Sequence, residues 1–140
     1  MKMELHHINL STQDVKKLEA FYKDILFLDT LSEDLPTLEK KKGYSGDVAF
    51  VTDGHIQMHL AAQDIKAGFK TGHIVNPVAH RHIAYRTDDI KAFMPHLDSL
   101  GVPYSDWGDR AVEGWHQIFF YDPDGNVIEV HQLDEDSSDG

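Results

Sequence analysis

Four side chains in this 140-residue sequence are of types that hold a divalent transition metal: His7, His59, His82 and Glu129. Imidazole nitrogen and carboxylate oxygen suit Zn, Fe, Ni, Co or Mn, and leave positions open for water or substrate. Bound water becomes a base or nucleophile near neutral pH, or a substrate chelates the ion directly. What suggests that they meet is a repeat. His7-Ile8-Asn9-Leu10-Ser11-Thr12-Gln13-Asp14-Val15-Lys16 returns 75 positions later (82 − 7 = 75) as His82-Ile83-Ala84-Tyr85-Arg86-Thr87-Asp88-Asp89-Ile90-Lys91. Two copies of one supersecondary unit about an approximate two-fold axis would converge His7 and His82 near that axis. In the last strand Val127, Glu129 and His131 share one face. A carboxylate facing inward from an apolar strand needs a cation, because alone it would take up a proton or cost several kcal/mol. The two Asp-Gly turns pair Glu129 with Met58 at an offset of 71 (124 − 53 = 71). One extra residue in the first turn, which we assume, moves the pairing to His59.

The elements that must position these residues recur in each half. Residues 5–10 read as a strand; Asp14 is an N-cap, and Val15, Leu18, Phe21, Tyr22 and Ile25 form one helical face. Residues 32–46 read as a loop, with Lys40, Lys41 and Lys42 solvated. Residues 47–52 and 56–61 form a hairpin through Asp53-Gly54. In the second half 82–86 is a strand, and Asp89 caps a helix carrying Ile90, Phe93, Leu97 and Leu100, closed by Gly101. Pro95 removes a backbone bond inside that helix, which predicts a break or kink. Residues 115–121 and 126–132 form a second hairpin through Asp122-Pro123-Asp124-Gly125. Residues 62–79 connect the halves. Strand alternation puts His6 on the face opposite His7, as a packed or surface residue, and gives His131 a structural role. Trp107, Trp115, His116 and Tyr121 are candidates for a substrate pocket, although packing explains any one of them. Arg86 and Arg110 are candidate anion binders.

The chain resembles the vicinal oxygen chelate superfamily, which includes glyoxalase I, extradiol dioxygenases, and fosfomycin- and bleomycin-resistance proteins. The resemblance spans residues 5–132. Its residues are Leu5-His6-His7-Ile8-Asn9-Leu10, Leu18-Glu19-Ala20-Phe21-Tyr22-Lys23-Asp24-Ile25-Leu26, Arg81-His82-Ile83-Ala84-Tyr85, and the specific Asp122-Pro123-Asp124-Gly125-Asn126-Val127-Ile128-Glu129. It implies an α+β fold: two paired βαβββ modules forming a curved mixed sheet, a half-open barrel around one divalent metal. The ligands implied match His7, His82 and Glu129, with a fourth near His59 in glyoxalase I. Subfamily marks are missing. Ser11 stands where glyoxalase I relatives carry arginine, Asn9 where fosfomycin-modifying relatives carry threonine, and the segment after Glu129 is acidic. Extradiol enzymes are about twice as long. Bleomycin-binding relatives lack the metal triad.

Bulk properties narrow the field. Apolar content of 41% and 26% charged residues describe an ordinary globular chain. A net charge of −11 argues against nucleic-acid binding, which needs basic residues against phosphate. No apolar run reaches a membrane span of about 20 residues, and the N-terminus is too polar for a signal peptide. The absence of cysteine excludes disulfides and suits a reducing cytoplasm. The expectation is one domain, 1–133 (module one about 4–61, connector 62–79, module two about 80–133), with an acidic disordered tail, 134–140. The expected activity is a metal-dependent, glyoxalase-like lyase or isomerase in a cytoplasmic homodimer, acting on a small substrate with adjacent oxygens. His59, His116, Glu129 or metal-bound water could be its base. The alternatives are an extradiol-type Fe(II) dioxygenase on a catechol and a metal-free drug- or metabolite-binding protein.

Overall fold

The structure is a computed structural model, described here for residues 1–31, 46–109 and 112–134, and for the backbone of residues 37 and 38. The predicted loop 32–46, apart from Gly46 and that backbone, therefore lies outside the described residues, as do Arg110 and the tail beyond Asp134. In chain order the elements are β1 (Met3–Thr12), α1 (Val15–Asp24), β2 (Asp29–Thr30), β3 (Thr37–Leu38), β4 (Val48–Thr52), β5 (Gln57–Ala62), α2 (Ala67–Thr71), β6 (Arg81–Thr87), α3 (Ile90–Ser99), β7 (Ser105–Gly108), β8 (Val112–Glu113), β9 (Trp115–Tyr121) and β10 (Val127–Leu133). Eight strands form one sheet, ordered β2-β4-β5-β1-β6-β10-β9-β7, while β3 and β8 pair separately. The sheet is curved and unclosed. The two central strands are the first strands of the two βαβββ halves, so the sheet order is symmetric about their junction.

The register locates the axis of that symmetry. β1 and β6 are antiparallel with Ile8 opposite Ile83, residues equivalent at the offset of 75, and His7 opposite Ala84 mirrors Asn9 opposite His82. β1 pairs in parallel with β5 and β6 with β10, which places Asn9 beside His59 and Ala84 beside Glu129. Because Asn9 and Ala84 are themselves equivalent, His59 and Glu129 are equivalent too. Two residues, His55 and Ile56, separate Gly54 from β5, whereas Asn126 alone separates Gly125 from β10. The assumed extra residue is therefore present.

Local chemistry sets these elements. Asp14 accepts from the Lys17 amide and Asp89 from the Ala92 amide, equivalent caps of α1 and α3. The Asp122 carboxylate accepts from the Asp124 and Asn126 amides, and Gly125 adopts φ 85, so that turn demands glycine and an aspartate in place. Asp53 does the same for the His55 and Ile56 amides. α3 runs unbroken through Pro95, so of the expected break or kink the break does not occur. Pro95 and Lys91 both face solvent, so the carbonyl freed by the missing amide hydrogen is open to water. Ile90 and Leu97 of α3 pack on Ile118 and Val130 behind the sheet. On the concave side Ala61, Ala67, Val75, Val78, Trp107 and Phe119 form a second core. The connector contributes α2 and these buried contacts. No described helix is long and apolar enough to cross a membrane.

Candidate metal centre

The concave face collects the candidate ligands because one strand from each half carries a histidine across the junction. His7, His82 and Glu129 are 1%, 5% and 1% exposed. One ligand atom from each lies within 4.8 Å of the other two. Glu129 Oε1 sits 3.1 Å from His82 Nε2 and 3.5 Å from His7 Nε2. His82 Nδ1 is 2.7 Å from the Pro77 carbonyl, which can only accept, so Nδ1 carries hydrogen and Nε2 faces the carboxylate. Such a backbone anchor is how a protein orients an imidazole toward a metal. It also leaves a demand. Oε1 is an acceptor when ionised, so the Nε2–Oε1 contact needs a proton between them, and a cation satisfies the same contact without one.

The other carboxylate oxygen is fixed from behind. His131, fully buried, donates from Nδ1 to Glu129 Oε2 at 2.6 Å, while its Nε2 accepts from Arg86 Nε at 3.0 Å. Its ring stacks on Trp115 at 4.1 Å, and the Arg86 guanidinium lies 5.2 Å from the Trp115 ring centre. Burial by itself would push the Glu129 carboxyl up. Electrostatic attraction to His7 and hydrogen bonds from His131, His7 and His82 overcome it and hold the group well below its ordinary value. For His7 and His59 burial is the larger effect and lowers both.

His59 lies beside the triad rather than in it. Its ring stacks flat on His7 with centroids 3.8 Å apart, and its Nε2 is 2.8 Å from Gln57 Oε1. That stacking keeps its nitrogens outside the set of atoms mutually within 4.8 Å, so the fourth-ligand expectation is not what the geometry brings together. Trp107 and Trp115 line the cavity over the triad with Phe119. His116 and Tyr121 are not among the residues that line it. His116 has the opposite strand parity to Trp115 and pairs with Asp106 at 2.8 Å. Tyr121 is 47% exposed at the end of β9, past the cup.

His6 is also corrected. A bulge between Leu5 and His7 cancels the alternation, so both histidines turn to the same side and their Nδ1 atoms meet at 2.8 Å. Burial, then the Arg86 charge, lowers His6 to about 3. His6, His7 and His131 form a second close group. A cation there would face Arg86, so the triad with the carboxylate is the better metal site. Nothing in residue order marks the bulge. The Arg86–His131 contact follows from their β6–β10 register, which the spacing alone does not supply.

The family described as the Glyoxalase/Bleomycin resistance protein/Dioxygenase superfamily matches residues 4–130. The uncharacterised protein YaeR of Escherichia coli (strain K12) is 30% identical over 92% of this chain and 95% of its own. The metallothiol transferase FosB of Staphylococcus epidermidis is 28% identical over 91% of this chain and 80% of its own. Among solved structures, hypothetical protein BH1468 from Bacillus halodurans C-125 superposes with a TM-score of 0.68 at 22% identity, covering 96% of this chain and 97% of that one.

Proposed function

This chain belongs to the glyoxalase/bleomycin resistance protein/dioxygenase superfamily, and on that premise we propose that it is a divalent-metal-dependent enzyme acting on a small substrate with adjacent oxygens. The carrying observation is the convergence of His7 Nε2, His82 Nε2 and Glu129 Oε1 in a buried cup. The donor set fits a divalent ion: two neutral imidazoles and one carboxylate, with His82 anchored on Pro77 and Glu129 on His131. A divalent ion held there supplies Lewis acidity to the substrate oxygens and offsets negative charge growing on them.

The chain's own groups do the rest. Burial keeps His59 neutral at neutral pH, and its contact with Gln57 Oε1 places the hydrogen on Nε2. Nδ1 is then the lone pair that takes a proton from a carbon or hydroxyl beside the triad. Trp107, Trp115 and Phe119 give the cavity an apolar wall, which strengthens charge interactions beside it. A cytoplasmic homodimer belongs to the same reading. It is supported by the absence of cysteine and by the uncovered apolar Phe21, Ile25 and Phe27, at 50%, 59% and 84% exposure. A monomeric mass at micromolar concentration by light scattering would remove the dimer from the reading.

Elemental analysis of untagged protein tests the function itself. About one transition metal per chain, lost in Glu129→Gln and His82→Ala, is expected. No metal after reconstitution with Zn, Ni, Mn and Fe(II) would sink the enzyme reading and leave a binding protein.

A further inference from the structure

The cavity over the triad has a volume of about 60 Å³ and opens to solvent, and its described lining contains no lysine or arginine. Most of the wall is apolar: Val48, Phe50, Ala61, Val78, Phe119. Three buried polar atoms in the same wall have no hydrogen-bond partner: Asn9 Oδ1, Gln117 Oε1 and Trp107 Nε1. Their residues are 6%, 4% and 1% exposed. Buried polar groups in native proteins are nearly always paired, so three orphans in one cavity mark where something else supplies the partners.

Placement ties them to the triad. Asn9 follows His7 on the same face of β1, about 7 Å along the strand. It also sits between His59 and His82 in the sheet. Gln117 is one pleat from Phe119, which lies opposite Glu129 across β9 and β10. A carboxamide offers a donor or an acceptor depending on which way round it sits, and a hydroxyl satisfies either. The Trp107 N–H requires an acceptor, which a hydroxyl or carbonyl oxygen provides. An anionic group beside Asn9, Gln117 and Trp107 would meet neutral amides and an indole in an apolar wall whose described lining has no lysine or arginine, while the metal held by the triad faces the adjacent oxygens.

Building on the metal-dependent reading above, we propose that this cavity recognises a small uncharged hydroxycarbonyl compound. Its adjacent oxygens meet the triad, and its remaining hydroxyl is held by Asn9, Gln117 and Trp107.

The test uses the full chain loaded with the metal found in it, with binding followed by tryptophan fluorescence. The probes are hydroxyacetone, dihydroxyacetone and dihydroxyacetone phosphate, which share a hydroxyl next to a carbonyl and differ in the third carbon's group. Dihydroxyacetone is expected to bind at least about tenfold more tightly than either of the others, because a site built to pair a hydroxyl rejects the analogue lacking it. Gln117→Leu and the near-isosteric Gln117→Met are expected to abolish most of that preference, as is Asn9→Leu. Equal or tighter binding of the phosphate ester overturns the proposal. So does a hydroxyl preference that survives in Gln117→Met, or no binding of any probe at about 50 mM. Metal content is read on the same samples. A chain that holds no metal overturns the function proposed above instead. The same probes on that metal-free chain then decide the cavity reading by the hydroxyl preference and its loss in Gln117→Met.

Discussion

Replacing His131 with phenylalanine isolates the group that steadies Glu129 without touching a proposed ligand. The aromatic ring stacked on Trp115 at 4.1 Å is kept, so the packing of this fully buried position changes little. What goes is the 2.6 Å hydrogen bond from Nδ1 to Glu129 Oε2, and with it one acceptor for Arg86 Nε. A hydrogen bond to a charged group contributes about 1.5–3 kcal/mol. At about 1.4 kcal/mol per tenfold, the full effect would weaken metal binding roughly 10- to 150-fold. Part of the loss also falls on the metal-free fold, where the same carboxylate is buried, so we expect about 10- to 100-fold, the range usual for such supporting residues. The assay is competition for Zn(II) against a chromophoric chelator, beside wild type and Glu129→Gln, with thermal unfolding of each metal-free protein as the control. His131→Gln, whose amide can still donate, is expected to recover part of the loss. An affinity for His131→Phe within threefold of wild type, while Glu129→Gln loses binding, would mean that His131 does not steady Glu129 for the metal.

Metal-free protein is expected to lose stability as pH falls from about 6.5 toward 3. His6 is lowered to about 3 in the folded chain, and burial lowers His7 and His59 as well, so the unfolded chain takes up protons first. Glu129 is held below its ordinary value, which adds to the loss only under about pH 4.5. Urea midpoints between pH 7.5 and 5 check this, and a flat profile contradicts it. His116→Ala removes an imidazole and Tyr121→Phe a hydroxyl, both outside the cup, and both are expected to leave Zn(II) affinity unchanged within about twofold. A tenfold change in the same competition assay would return them to the site.

Residue order alone specifies the pairing of two βαβββ halves, because the features that encode it are local. Capping aspartates at 14 and 89, alternation in the strands, and Asp-Gly turns each act within a few residues, and each is present twice. It also determined which residues could be ligands, since His7, His82 and Glu129 follow from the repeat and from a carboxylate in an apolar strand. Tertiary structure decided the rest. The bulge before His7 turned His6 inward, a consequence of β1 fitting against β6 that alternation alone reverses. The flat stacking of His59 on His7 kept it out of the cluster, although the register makes it the equivalent of Glu129. Pro77 on His82, His131 on Glu129 and Arg86 on His131 join residues that are distant in sequence or brought together by the register. Strand periodicity states which face a side chain takes. Rotamer, tautomer and the orphaned atoms of Asn9, Gln117 and Trp107 depend on what the opposite half of the barrel places against them.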